Sequence, residues 1–304
     1  MDLTPHKTCT QDCVFCQLGR TTNRTIIRRE YVPVREVLGE LGEWLERKGN
    51  ADHITLSGCG EPTLHSGIGE VLRFVRENSP IKSVLLTNGS LLHLPEVRRA
   101  ASQAHIVKIS LSAWDQASYG WVNRPHPELE FNRLIEGQKA FRAEFTGQLW
   151  LEVFAVAGMN STPSDMSRIA ALAEQLGADR IHLNTSTRPP AEDFVAPLSR
   201  ERLASLCPVF RPEAEVISEF KTQDGGEIQS SQEEILSMLQ RRPCTTQDIA
   251  GAFGMHLHEA FKTVEGLMRE GRIRAERSSG FIYYRSAVKQ SLTDTLGTGD
   301  RIQD

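Results

Sequence analysis

Cys9-Thr10-Gln11-Asp12-Cys13-Val14-Phe15-Cys16 places three thiols at i, i+4 and i+7. Thiolates at that spacing can close around one soft metal centre within a single loop. The count narrows the centre. Structural zinc and an ordinary cubane cluster each take four protein ligands. Three thiolates on a four-iron cluster leave one iron open, where a small molecule can bind and react. The alternatives are half of a zinc site completed by His6 or His65, or three unrelated free thiols. Zinc ligands usually come as spaced pairs rather than a compact triplet. Six Cys in 304 residues is far from the dense cysteine framework of a small secreted domain.

Composition sets the frame around this loop. Hydrophobic residues make up 39%, charged residues 24%, and the net charge is −4. That describes an ordinary soluble protein of one large domain plus a small one. No stretch approaches the ~20 consecutive apolar residues of a membrane helix. The start, Met1-Asp2-Leu3-Thr4-Pro5-His6-Lys7, lacks a signal-peptide apolar region. A reducing cytoplasm is the expected setting for exposed, cluster-forming thiols. Mild acidity argues against a dedicated nucleic-acid binder.

Downstream, helix-like and strand-like segments alternate. Val34 to Arg47 carries Val34, Val37, Leu38, Leu41 and Leu45 on one side of a helix. Strands are expected near 52–57, 82–87, 105–112, 149–156 and 179–184. Helices are expected near 67–77, 95–103, 129–144, 164–176 and 199–206. Such alternation implies parallel β/α units, as an open or barrel-like sheet over residues 1–218. Residues 219–231, Gly- and polar-rich from Lys221 to Ser231, read as a linker. Residues 232–286 then read as three helices and a strand pair around Ser278-Ser279-Gly280, a winged-helix pattern. In the third helix Leu257, Ala260, Phe261, Val264, Leu267 and Met268 share helical spacing. Residues 287–304 have little apolar content and read as a loose tail.

Alternation along the strands predicts one polar face. It carries Thr55, Ser57, Leu85, Thr87, Lys108, Ser110, Ser112, Glu152, Phe154, Val156, His182 and Asn184. Ile54, Leu56, Val84, Leu86, Val107, Ile109, Leu111, Leu151, Val153, Ile181 and Leu183 form the opposite face, toward the helices. Lys108 and Glu152 stand out, because lone charges are rarely buried. They form either a mutual ion pair or contacts to substrate or a cofactor carboxylate. His182 reads first as a hydrogen-bonded interior histidine. Glycine-bearing segments close several strands: Ser57-Gly58-Cys59-Gly60-Glu61-Pro62-Thr63, Thr87-Asn88-Gly89 and Gly158-Met159-Asn160. Ligands in α/β sheets bind at the carboxyl ends of strands, so these loops and the cysteine loop should meet at one site.

These residues resemble the radical S-adenosylmethionine (radical SAM) superfamily. Cys9-x3-Cys13-x2-Cys16, with Phe15 before the last Cys, looks like its cluster motif. Gly58-Cys59-Gly60-Glu61-Pro62 looks like its GGEP-type segment, with Cys59 where Gly is common. The resemblance covers residues 2 to about 217 and implies a partial (β/α)6 TIM-like barrel. It also implies a [4Fe–4S] cluster on Cys9, Cys13 and Cys16, with SAM chelating the open iron. Gly60, Glu61 and Pro62 would receive the methionine amino end. Asn88, Ser110, Ser112, Asp115 and Asn184 are implied for ribose and carboxylate, and Phe15 and the Gly158 loop for adenine. Reduction of the cluster would cleave SAM to methionine and a 5′-deoxyadenosyl radical that takes hydrogen from substrate. Reduced flavodoxin or ferredoxin is the implied electron donor.

A narrower resemblance rests on Asp2-Leu3-Thr4-Pro5, Lys7-Thr8-Cys9, Gln17 to Thr22, Ser57 to His65 and Asn123-Arg124-Pro125-His126-Pro127. It is to an Fe–S oxidoreductase branch related to the tRNA wyosine-base synthases. In those synthases a lysine forms a Schiff base, a role open to Lys108. Relatives have a strand before the cluster loop, whereas only Met1 to Leu3 precede it here. The expectation is a late start or a truncation that leaves a sheet edge unpaired. Cys59, Cys207 and Cys244 form no second compact motif.

Lys108, Arg124, His126 and Glu152 are the substrate-contact candidates; Arg124 and His126 could meet an anion or be satisfied by loop backbone. Residues 232–286 hold eight Lys/Arg and seven Asp/Glu, net +1. The third helix exposes His256, His258, Glu259, Lys262 and Glu265, not the basic face of a DNA reader. Only Arg272, Arg274 and Arg277 look able to grip nucleic-acid phosphate. Three functions follow: a radical SAM enzyme on a small metabolite, cofactor or protein; one modifying RNA; or a regulator with an Fe–S sensor.

Overall fold

The computed structural model describes residues 1–47, 49, 51–217, 232–278 and 280–287. The chain divides at Lys221 into two compact units. The expected linker, 219–231, lies outside the described residues, as does the tail after Ala287.

Two short strands come first, β1 (Thr8–Cys9) and β2 (Asn23–Arg24), paired parallel. Then follow α1 (Val34–Glu46), β3 (His53–Leu56), α2 (Ile68–Asn78), β4 (Lys82–Thr87), α3 (Pro95–Ala101) and β5 (Ile106–Ser110). Next come α4 (Gln116–Val122), α5 (Phe131–Glu144), β6 (Gln148–Phe154), α6 (Pro163–Leu176), β7 (Arg180–Asn184), α7 (Arg200–Leu206) and β8 (Glu215–Val216). β3 to β8 form one six-stranded sheet in chain order, every neighbour parallel. Strand–helix alternation enforces this, since a parallel return needs a crossover. Local signals set the helix ends. α6 starts on a Thr162–Asp165 capping box with Pro163 in its first turn, and stops at Gly177, whose φ is 57°.

Leu56, Leu85 and Val107 stand abreast across β3–β5, and Ile109, Leu151 and Ile181 across β5–β7. All are buried in the main core with Leu72 and Val75 of α2 and Ile169 of α6. Burying each such side chain contributes about 1.5–3 kcal/mol. The other face carries Thr55, Lys108, Ser110, Trp150, Glu152, His182 and Asn184.

The pairing corrects the sequence reading of β4. Leu85 faces the helices, while Val84 lies beside Thr55 and Leu86 beside Lys108. Val84-Leu85-Leu86 is an unbroken apolar run, so the polar residues at its ends gave a misleading period. α4 and β8 were not foreseen. α4 is seven residues with an internal glycine, and β8 is two residues long. The edge of β3 is also not left bare. The Met1 amine donates to the Thr55 carbonyl at 2.7 Å, and Ser57 N–H to the Met1 carbonyl at 3.4 Å. No helix among the described residues is long and apolar enough to cross a membrane.

The second unit holds α8 (Gln232–Arg241), α9 (Thr246–Phe253), α10 (Leu257–Arg269) and an antiparallel pair, β9 (Ile273–Ser278) and β10 (Phe281–Ser286). Ile235, Leu239, Ile249, Val264, Leu267 and Ile273 fill its core. Leu257, Phe261 and Met268 share the helical spacing but lie 42–46% exposed within this unit. Arg272 pairs with Glu233 at 2.6 Å.

Candidate functional site

The cysteine loop is pinned from two sides at the carboxyl ends of the strands. On one side the segment after α4 runs against it. Asp12 N–H donates to the Asn123 carbonyl at 3.1 Å, Val14 N–H to Val122 at 3.0 Å, and His126 N–H to Thr10 at 2.8 Å. Gln11 Nε2 donates to the Tyr119 hydroxyl at 2.8 Å. On the other side, Glu61 N–H donates to the Thr8 carbonyl at 3.0 Å. Gly60 makes that approach possible. A Cβ on it would fall 1.8 Å from the Thr8 carbonyl oxygen, whereas one on Gly120 in α4 meets nothing within 4 Å. Gly60→Ala should therefore cost about 1–3 kcal/mol and reduce iron uptake, whereas Gly120→Ala should leave both near wild type, as thermal melting and iron analysis would show.

Each of the three sulfurs then receives one side-chain N–H donor. Lys7 Nζ lies 2.9 Å from Cys16 Sγ, Asn123 Nδ2 3.4 Å from Cys13 Sγ, and Asn88 Nδ2 3.6 Å from Cys9 Sγ. Donors of this kind suit ligating thiolates. Burial pushes the Cys9 thiol up to about 12, and Cys13 also upward. Burial pulls the Lys7 ammonium down, but the Cys16 sulfur, aided by Cys9 and Cys13, leaves it above its ordinary value.

Glu61 is fully buried. Its Oε1 accepts from Thr63 N–H at 3.0 Å, Thr63 Oγ1 at 2.6 Å and Thr87 Oγ1 at 2.6 Å; its Oε2 accepts from Asn88 N–H at 2.8 Å. Burial pushes its pKa up while these four donors oppose that. The carboxylate thus ties the segment after β3 to the end of β4.

The radical SAM superfamily model matches residues 3–173, more than half of the chain and the whole of this constellation. The chain belongs to the radical SAM superfamily. Members of this superfamily use a [4Fe–4S] cluster and S-adenosylmethionine. A UPF0026 protein of Methanocaldococcus jannaschii is 26% identical over 94% of this chain and 90% of its own length. A protein of Brachyspira hyodysenteriae named GTPase Obg is 30% identical over 93% of this chain, which spans only 42% of that protein. A radical SAM methyltransferase of Sphaerobacter thermophilus shares the fold at 18% identity, with a TM-score of 0.55 over 71% of this chain and 64% of that one.

The donor set fits a cluster better than a zinc ion. Cubane ligands each bind a different iron. His65 completes no zinc site, because Nε2 donates to the Val32 carbonyl at 2.8 Å and Nδ1 accepts Gly67 N–H at 3.1 Å.

Several expected ligand contacts are already engaged within the protein. Asp115 caps α4 with Ser118 and faces Arg168 at 4.0 Å. The Ser112 hydroxyl accepts Phe154 N–H at 3.0 Å. Pro62 is buried at the start of a 3-10 turn, Pro62–Leu64. Phe15 stacks on Phe154 with centroids 4.2 Å apart, in one cluster with Met159 of the Gly158 turn. The expected meeting of Phe15 with that turn therefore occurs. Ser110 lies beside Glu152 on the open face. Lys108 and Glu152 pair at 2.8 Å, and Asn184 Nδ2 donates to the same carboxylate at 3.3 Å. His182 packs edge-on to Trp150, and its Nδ1 is buried without a hydrogen-bond partner. His126 is held by its backbone N–H to the cysteine loop, and Arg124 is paired with Glu192.

Glu192 gave no signal in the sequence. Its carboxylate joins Arg20 of the cysteine loop, at 2.8 Å, to Arg124. The Arg124 hydrogen bond holds its pKa below the usual carboxylate value. A depressed carboxylate stabilises the fold above its unfolded pKa and loses that contribution as pH falls through the folded one. The melting difference between wild type and Glu192→Gln should therefore be largest near neutrality and vanish on acidification. A difference that grew toward low pH would contradict the bridge.

Proposed function

We propose that this protein is a radical SAM enzyme with a partial (β/α)6 barrel, in which Cys9, Cys13 and Cys16 ligate the cluster. One observation carries this reading: each of the three thiols, in one loop, meets a side-chain N–H donor. When bound, the cluster and SAM supply reductive cleavage of SAM and a radical that abstracts hydrogen from substrate. The chain's own residues place these groups and exclude water. Gly60 and Glu61 hold the cysteine loop against the ends of β3 and β4. Backbone groups of this segment receive the methionine end, because the Glu61 carboxylate is already fully bonded. Asn88, Ser110 and Asn184 line the way to the open face. The Phe15–Phe154 stack beside the Gly158 turn offers the apolar wall an adenine needs.

Lys108, Glu152 and His182 bind substrate on that face. Their polar, half-buried pairing favours a small polar substrate over an apolar one. The electron donor is reduced flavodoxin or ferredoxin, and the setting is cytoplasmic. The kinship with the wyosine-base synthases belongs to the same proposal. The second unit is a winged helix that serves protein contact or packing. Exposed Leu257 and Phe261 and the Glu233-bound Arg272 favour this over RNA or DNA.

Electron paramagnetic resonance of the anaerobically reconstituted, dithionite-reduced protein tests the open iron. Adding SAM should change the cluster signal. A signal indifferent to SAM would count against the reading.

A further inference from the structure

The three sulfur donors are not equivalent. Asn88 and Asn123 are neutral amides shared with other acceptors, Thr10 Oγ1 at 2.8 Å and Gln11 Oε1 at 3.4 Å. Lys7 brings a full charge. The residue is only 3% exposed, and its ammonium lies 2.9 Å from Cys16 Sγ. Among the described residues it makes no ion pair with a carboxylate. A buried charge needs a partner, and the cysteine sulfurs are the partners present.

The backbone shows how firmly this placement is imposed. Lys7 sits in the left-handed region with φ 58°. Such geometry is uncommon for a long side chain and persists only where the surroundings over-determine it. Here Lys7 N–H donates to the Cys59 carbonyl at 2.8 Å, and the Lys7 carbonyl accepts from Thr22 N–H at 3.2 Å and Asn23 N–H at 3.1 Å. Both loops that frame the site therefore clamp this one residue. Glycine would relieve the strain but could not deliver a cation.

We propose that Lys7 is a positioning residue for the cluster, a fixed buried cation that stabilises its one-electron-reduced form and anchors Cys16. The inference rests on the assignment of the three cysteines as cluster ligands. Reduction adds one negative charge beside the ammonium. Coulomb attraction in a partly desolvated pocket then favours the reduced state.

The test is the cluster's midpoint potential, read spectroscopically during anaerobic titration of the full chain. Lys7→Gln keeps an N–H donor and removes the charge. It should shift the reduction equilibrium about tenfold toward the oxidised cluster, which is about 59 mV more negative for one electron. Lys7→Arg should stay near the wild-type potential. A Gln variant with wild-type iron and sulfide content and an unchanged potential overturns the proposal, as does an Arg variant displaced as far as Gln. If Lys7→Gln takes up no iron, Lys7→Arg decides. Wild-type uptake by Arg supports a required cation, and loss of uptake overturns it. An unaltered chain that assembles no cluster overturns both this proposal and the ligand assignment beneath it.

Discussion

Cys13→Ala is expected to abolish cluster uptake. Reconstituted protein should lose its visible absorbance, and SAM cleavage should fall at least ~100-fold, beyond the 10–100-fold typical of losing an outer-shell partner. Cys13 is the middle cysteine of the loop, between Gln11 and the segment after α4. Its sulfur takes the Asn123 amide at 3.4 Å, and that amide keeps Gln11 Oε1 as an acceptor at 3.4 Å when the sulfur is gone. The fold itself should survive. The main core is built on the opposite, helix-covered face of the sheet, and Cys13 is no part of it. A wild-type melting temperature together with loss of iron is the expected pair of results. Retained iron would show that Cys13 is not a ligand.

Glu61→Gln should damage the fold as well as the site. The carboxylate accepts from four donors while buried. A glutamine keeps one acceptor oxygen and turns an amide N–H₂ toward groups that are themselves donors. Losing charge-assisted bonds and leaving buried donors unmet should cost about 3–5 kcal/mol. For a unit of this size that lowers the melting temperature by about 10 °C. Glu61→Ala should be at least as severe, because all four donors are orphaned. Melting curves of the metal-free proteins separate this effect from cluster loss. A metal-free Glu61→Gln protein as stable as wild type would mean that the carboxylate does not tie β3 to β4.

Much of this was legible in the sequence, for identifiable reasons. Helical patterns found α1, α2, α5 and α6, each of which sinks an apolar stripe into the main core. Strands rich in Val, Ile and Leu between helical segments gave the parallel sheet. Alternation failed in β4, where Val84-Leu85-Leu86 offers no contrast and only the neighbours Leu56 and Val107 decide the register. It failed again in α10, where the spacing of Leu257, Phe261 and Met268 matches a buried stripe that the unit leaves exposed. β8 was too short to carry any pattern.

The site divided along a similar line. A compact cysteine triplet is a local signal and was read directly. The donors to its sulfurs are not all local. Asn88 reaches Cys9 across 79 positions, and Asn123 reaches Cys13 across 110. Only the folded chain brings them together. Lys7 was closer, but nothing in the sequence marks its left-handed backbone. Asp115 and Ser112 also make bonds that the sequence did not show. Polar residues at strand ends suit ligand contact and backbone capping equally well, and here helix and loop geometry engages them.

One measurement bears most directly on the central claim. The full chain is reconstituted anaerobically with iron and sulfide, reduced with dithionite and supplied with SAM, and the products are separated. The account predicts 5′-deoxyadenosine and methionine in wild type, and neither above background in Cys13→Ala. A chain that holds a loaded four-iron cluster and yet forms no 5′-deoxyadenosine would contradict it.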